Sequence, residues 1–400
     1  MTAPTAPDHT TANHRTTPDA TPGHPTVLVG HAELHAAVTG LFTGHGIPAA
    51  RARLAADALC HGDLTGLDSH GVFNLTRLYL PLLESGRCDP RAEPRTLTDL
   101  GACATVDARR ALGLWAAAEA MDDAVARARR HGIGLVSVRG ATHLGCAGFH
   151  AARAAHTGMI GVVASNCGGQ RIARPPGGAV TMLGTNPLSV AAPALDGHPF
   201  LLDMSTTVAP TGRVRVAARR GTPVPEGWLE DAAGEPVTDP NAFDRGEAFL
   251  RWLGGTSENG VHKGYGLGIA VELLAAVVSG SAVGPAPAAL EGDGRPHGRD
   301  DDIGFFLLAI APEVLRPDAD VAATTRSLFG ALTDCPPVPG GEPVRYPGWW
   351  EAERAARRRR HGIPLPEHLY RELADLGLLG TPGTGPGTGN GTAPNAGGRR

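Results

Sequence analysis

The chain has 400 residues, with 36 Lys+Arg against 40 Asp+Glu and a formal charge of −4. That length holds one large or two medium domains, and a 42% hydrophobic content excludes a mainly disordered polymer. The near-neutral balance gives no electrostatic case for nucleic acid or an anionic membrane, and six scattered cysteines suit reduced thiols in the cytoplasm.

In chain order, residues 1–26 are rich in Thr, Pro, Ala and His and lack an apolar run. They read as a disordered tail and not as a targeting segment. The stretches 32–42 and 48–63 carry apolar residues at helical spacing on either side of Gly44-His45-Gly46. A third helix is expected between Gly71 and Gly86. Residues 112–131 are strongly helix-patterned and stop at Gly132, with a strand at 133–138 directly after. A helix at 146–156 and a strand at 159–165 follow. Strands at 188–192 and 199–204 share a short Pro/Gly/Asp turn, which fits an antiparallel pair. A helix at 263–278, a strand at 303–310 and helices at 349–361 and 366–378 complete the pattern. Residues 381–400 repeat Gly, Thr and Pro and read as a second disordered tail. The alternation predicts an α/β or α+β fold. Residues 264–283 are apolar enough to suggest a membrane span, but Glu272 and four glycines favour a buried helix.

Four segments carry candidate chemistry. In RGATHLGCAGFH (139–150), His143 follows a strand and precedes a Gly-containing turn into a helix. A histidine there can exchange protons at neutral pH beside a helix N-terminus, or it can simply cap the turn. His143, Cys146 and His150 also stand at i, i+3, i+7, a spacing that a continuous helix would turn into a zinc site; Gly145 and Gly148 argue against that helix. In the polar run 63–71, Ser69 and His70 face a cleft, or Asp68 and Ser69 cap the next helix. Leu183-Gly184-Thr185-Asn186-Pro187 is by itself a turn. In His262-Lys263-Gly264-Tyr265-Gly266-Leu267, a lysine and glycines at a helix start form a possible phosphate seat. No dinucleotide fingerprint or Walker loop is present. Lys263 is the single lysine of the chain, among 35 arginines. Arg357–Arg360 suit the C-terminal end of a helix and give little reason for nucleic-acid binding.

In this order the segments resemble the malate/L-lactate dehydrogenase family, which is unrelated to the Rossmann lactate dehydrogenases. The likeness runs from about residue 30 to 378. It rests on Asp68-Ser69-His70-Gly71-Val72, Thr142-His143-Leu144-Gly145, Gly177-Gly178, 183–187 and Leu202-Asp203-Met204-Ser205-Thr206. It continues through Pro225-Glu226-Gly227-Trp228 with Asp231, Thr238-Asp239-Pro240 and 262–267. The resemblance implies a homodimer with a family-specific NAD(P)-binding domain at 111–345, bearing a mixed or antiparallel sheet. A mainly helical domain would combine 28–110 with 346–380. It implies hydride transfer between NAD or NADP and a small 2-oxo or 2-hydroxy acid, or a cyclic imino acid in the reductase relatives. His143 and His70 match the proposed acid/base residues. Ser69, Arg77, Arg213 and Asn186 would bind substrate. Asn166, Cys167, Thr185, Asp203, Met204, Ser205, Lys263 and Gly264 would contact the cofactor. Where relatives read S-H-G-V-x-R, this chain has Asn74, with Arg77 three residues later.

Overall fold

The computed structural model describes residues 25–291 and 295–380, so the two expected tails lie almost wholly outside the described residues. Thr26, assigned above to the first tail, instead opens strand β1 (Thr26–Val29). Helices α1 (His31–Gly44) and α2 (Ala49–Thr65) follow, then a 3₁₀ turn at Asp68–His70. The helix expected before Gly86 begins as a π-helical turn (Leu75–Tyr79) and ends as α3 (Leu80–Glu84). Strands β2 (Arg95–Asp99) and β3 (Cys103–Asp107) were not anticipated. Helix α4 (Gly113–His131), strand β4 (Ile133–Ala141), helix α5 (Ala147–Ala155) and strand β5 (Ile160–Ser165) match their predicted positions. So do β6 (Leu188–Leu195) and β7 (His198–Met204), which pair antiparallel through their short turn.

Residues 205–260, which carry sequence motifs but no expected helix or strand, form α6 (Thr211–Arg220), short strands β8 (Leu229–Glu230) and β9 (Pro236–Val237), α7 (Asn241–Asp244) and β10 (Phe249–Leu250). Helix α8 (Val261–Val271) runs on as a π-helical turn at Glu272–Val277. Then come β11 (Ile303–Ile310), α9 (Pro312–Leu315), α10 (Val321–Thr333), α11 (Trp349–His361), β12 (Ile363–Pro366) and α12 (Glu367–Asp375). Among the described residues no helix is long and apolar enough to cross a membrane.

The main sheet has seven strands in the order β2-β3-β4-β11-β5-β6-β7, and only β3 and β4 run parallel. Strands β2 and β3 therefore belong to this sheet and not to a helical unit ending at residue 110, because β3 needs β4 as its hydrogen-bonding partner. Strand β11 lies near the middle and is almost continuously apolar, as a strand covered on both faces must be. Helices α4 and α5 pack against the sheet, and α2 packs on α4. Trp115, Tyr79, Phe42 and Phe305 are fully buried in that layer, each of the order of 1.5–3 kcal/mol in transfer free energy. Strands β1 and β12 pair at the chain ends and bring α11 and α12 beside the N-terminal helices.

The register gathers chain turns at one end of the sheet. Ala141 at the end of β4 faces Ile303, and Ser165 at the end of β5 faces Phe305. Leu188 at the start of β6 faces both Ala164 and Met204. The segments after β4, β5 and β7 and the turn before β6 thus converge.

Candidate active site

At that end the ring centroids of His70 and His143 lie 5.8 Å apart, with the rings inclined by 26°. His143 is set by its neighbours on both sides. Thr142 Oγ1 accepts the Gly113 N–H at 3.0 Å, and a Cβ on Gly113 would fall 2.0 Å from the Thr142 carbonyl oxygen. Only glycine lets α4 start so close to the histidine segment. His143 Nδ1 receives the Gly145 N–H at 3.1 Å and lies 2.9 Å from the hydroxyl of Tyr79, a fully buried side chain. A backbone N–H can only donate, so in the neutral ring Nδ1 is the acceptor and the proton sits on Nε2.

His70 is held by the loop that carries it. Buried Asp63 on α2 accepts the Val72 N–H at 2.8 Å, and a Cβ on Gly71 would fall 2.2 Å from Asp63 Oδ1. Burial pushes the Asp63 carboxyl up to about 8. Ser69 Oγ is 2.9 Å from His70 Nδ1. Burial, aided by the charges of His143, Arg77 and Arg213, holds His70 down at about 3. Burial, with the Arg77 charge, holds His143 down at about 4. Both rings are neutral at pH 7.

Two arginines border the pair. Arg77, on the π-helical turn, donates from Nε and Nη2 to Asn74 Oδ1 at 3.4 and 3.1 Å. Asn74 is itself buried and donates to the Ser69 carbonyl at 2.8 Å. The residue that stands where relatives carry arginine thus tethers a later arginine to the His70 loop. Arg213, exposed at the start of α6, lies over the Trp228 ring at 5.3 Å. Helix α6 begins against the loop, since a Cβ on Gly212 would fall 2.9 Å from Ser69 Cβ.

The residues expected to contact cofactor divide into two groups. Cys167, Thr185, Met204 and Ser205 are partly exposed around the converging strand ends. Cys167 Sγ lies 3.7 Å from Thr185 Oγ1, and burial pushes its thiol up. Ser205 Oγ donates to the Thr207 carbonyl at 2.9 Å. Lys263 is exposed, and among the described residues its ammonium has no hydrogen bond or ion pair. It folds back over Gly260, whose Cβ would lie 3.4 Å from Nζ, and Gly266 faces open space.

The second group is taken up inside the protein. Asn166 and Asn186 are buried, and both turn their NH₂ groups to the carboxylate of Glu272 and not to the cleft as expected; of the two amides, Asn186 Oδ1 alone is left without a partner among the described residues. Asp203 accepts the Gly148 N–H at 2.8 Å and so caps α5; burial pushes its carboxyl up to about 6. A Cβ on Gly264 would fall 2.4 Å from the Leu253 nitrogen, so this glycine serves helix packing and not a ligand. The expected phosphate seat loses most of its backbone donors for the same reason. The N–H groups of Val261, Lys263 and Gly264 already bond to Thr256, Gly260 and Leu253 carbonyls.

The zinc alternative fails on geometry. His150 is fully buried with Nε2 on the Leu144 carbonyl, His143 Nδ1 is engaged as above, and no metal-holding cluster occurs among the described residues. Sequence reading also passed over Tyr79, Asn74 as a tether, the contacts of Asp63 and the hydrogen bonds of Glu272. Tyr79 and Asp63 look like ordinary helix residues, and Glu272 signalled itself only as one carboxylate in an apolar helix.

A family model described as malate/L-lactate dehydrogenase matches residues 29–374. The malate dehydrogenase of Pyrococcus abyssi is 32% identical over 349 residues, covering 86% of this chain and 92% of its own. Delta(1)-pyrroline-2-carboxylate reductase 1 of Burkholderia ambifaria is 30% identical across 88% of this chain and 97% of its own. The crystal structure of malate dehydrogenase from Entamoeba histolytica has a TM-score of 0.80 at 28% identity, covering 88% of this chain and 97% of that one. The paired histidines, the converging strand ends and these likenesses agree: the chain belongs to the malate/L-lactate dehydrogenase family and is a nicotinamide-dependent oxidoreductase acting on CH–OH or C=N groups.

Proposed function

We propose that the enzyme interconverts a small 2-oxo acid and its 2-hydroxy acid, with His143 exchanging the proton and His70 beside it. The observation that carries this reading is the stacked His70–His143 pair, bordered by Arg77 and Arg213, at the sheet end where the cofactor-lining turns meet. When bound, the nicotinamide supplies or takes up the hydride. The unpaired Lys263 ammonium over bare glycine backbone fits an anionic cofactor group. Cys167, Thr185, Met204 and Ser205 would line the rest of that cleft.

His143 presents Nε2 to the reacting oxygen. A substrate carboxylate held by Arg77 or Arg213 brings negative charge near the ring and raises its pKa from the value in the free enzyme. In reduction the protonated ring gives its Nε2 proton to the developing alkoxide and is left neutral with its remaining proton on Nδ1, which the Tyr79 hydroxyl accepts; in oxidation that Nδ1–H tautomer takes the proton back at Nε2. Tyr79 can serve both states, because a hydroxyl donates to a bare Nδ1 and accepts from a protonated one. The same parts reduce a cyclic imine, with the proton delivered to nitrogen. The pyrroline-2-carboxylate reductase relative favours that as the second reading.

We take the working form to be a cytoplasmic homodimer. All six cysteines are free, as a reducing compartment keeps them. The helix through α8 leaves Ile269, Leu273 and Val277 exposed at 38, 54 and 61%, an apolar stripe at spacing i, i+4, i+8 that a second copy can cover. The test is oxidation of NADH and of NADPH against a panel of small 2-oxo acids and cyclic imino acids. Turnover of a 2-oxo acid supports the main reading, imine turnover alone moves it to the second, and no turnover with any pair overturns both.

A further inference from the structure

We infer that Glu272 is a positioning residue for the cofactor cleft: its buried carboxylate ties the turn after β5 and the turn before β6 to the helix that carries Lys263. The inference rests on the dehydrogenase reading above and assigns the cleft a buried organiser.

Glu272 is 5% exposed and opens the π-helical turn that follows α8. A π-turn inserts one residue into the helical ladder and redirects the side chains around it, and such turns gather at functional sites. Asn166 Nδ2 donates to Glu272 Oε2 at 3.2 Å, and Asn186 Nδ2 donates to Oε1 at 3.0 Å. The Gly284 backbone N–H also faces this carboxylate and favours its charged form. These two asparagines directly adjoin Cys167 and Thr185, the partly exposed residues of the cleft. One carboxylate therefore fixes two separate wall segments relative to α8.

The two asparagines differ in how fully their amides are engaged. Asn166 uses its whole amide: Nδ2 also donates to the Ala282 carbonyl at 2.7 Å, and Oδ1 accepts the N–H groups of Gly168 and Gly304 at 3.2 and 2.9 Å. It cannot turn over. Asn186 donates its other hydrogen to the Gly268 carbonyl at 3.0 Å, while its buried Oδ1 has no partner. It also sits at φ +39°, in the left-handed region that asparagine adopts more readily than most L-residues. The carboxylate, which only accepts, matches the inward NH₂ groups that the bonds to Ala282 and Gly268 set, and joins the two amides to one helix.

The asymmetry gives a test with a conservative rescue. In Glu272→Gln the new amide keeps its oxygen toward Asn166 and holds that tie, but its NH₂ faces the NH₂ of Asn186, which cannot turn over without setting its Oδ1 against the Gly268 carbonyl. In Glu272→Ala both turns are released. NADH and NADPH binding are measured by fluorescence titration on the intact enzyme, with Tm and steady-state constants alongside. Glu272→Ala should raise the Kd of whichever cofactor the wild type binds at least tenfold. Its substrate KM should stay within about threefold, and Glu272→Gln, which keeps the Asn166 tie, should recover part of the affinity. An affinity unchanged in folded Glu272→Ala, or a Gln variant as weak as the Ala variant at equal Tm, overturns the inference. If Glu272→Ala does not fold, Asn186→Ala substitutes for it: it breaks one tie, should weaken cofactor binding severalfold, and refutes the idea if affinity holds. A wild-type enzyme that binds neither cofactor would instead refute the dehydrogenase reading.

Discussion

Replacing Tyr79 with phenylalanine removes one oxygen from a fully buried ring and leaves the packing shape intact. It also removes the only group at His143 Nδ1, among the described residues, able to accept a hydrogen bond, since the Gly145 N–H on the same nitrogen can only donate. The neutral ring keeps Gly145 and is little affected. The ring carrying a second proton is left with Nδ1–H facing another N–H in a buried setting. An unsatisfied buried donor costs about 1–3 kcal/mol. At about 1.4 kcal/mol per tenfold, kcat/KM should fall by about 5- to 150-fold. Because both directions cross one transition state, the drop should be equal for reduction and oxidation at fixed pH, with cofactor Kd unchanged. Steady-state assays in both directions on Tyr79→Phe, His143→Ala and the double variant measure this. In the double variant the Tyr79 change should add nothing, since the partner it served is gone. A Tyr79→Phe enzyme with wild-type kcat/KM, or a full additive loss in the double variant, would refute the assignment of the reactive proton to His143.

Three further outcomes follow from the same geometry. Arg77→Ala should raise substrate KM about tenfold or more with cofactor affinity kept, and Asn74→Ala should give a smaller effect in the same direction through the lost tether; an Asn74→Ala variant with wild-type KM shows that the tether is idle. Stability should fall below neutral pH. Histidines 61, 70, 143 and 150 are held by burial at about 3–4, below the ordinary 6.5, so their contribution is present above 6.5 and lost as pH falls toward 4. Asp63 and Asp203, raised to about 8 and about 6, act with the opposite sign, as do Glu272 and Asp302, also raised by burial; burial lowers His31 and His156 as well, so the opposing groups are four against six. Each uncompensated proton is worth about 1.4 kcal/mol per pH unit, so Tm should drop steadily between pH 6.5 and 4.5; a flat or rising Tm refutes the balance. Acylating the single lysine should abolish turnover in step with modification of Lys263, and NAD(P)H should protect it; mass spectrometry showing full modification with activity retained removes it from the site.

The sequence by itself determined the long elements and the order of the motifs. Segments such as α4 and α5 with their following strands are legible because apolar spacing and a terminal glycine are local signals, as at Gly132, whose N–H closes on Ala128 at φ +79°. His70, His143 and Lys263 were nameable because each sits in a short run of unusual residue types, and Arg77 because it follows the position where relatives carry arginine. Strands β2 and β3 escaped because their exposed, polar pattern becomes a strand only when β4 lies alongside. What tertiary structure alone decided was which polar groups face the cleft. Asn166 and Asn186 read as ligand contacts, yet both turn their NH₂ groups inward to a carboxylate some 86 or more residues away. Asp203 caps a helix that starts 56 residues before it, and Tyr79 reaches His143 across 64 residues. A buried hydrogen bond must be completed by whatever group the fold brings near, and sequence spacing holds no record of that partner.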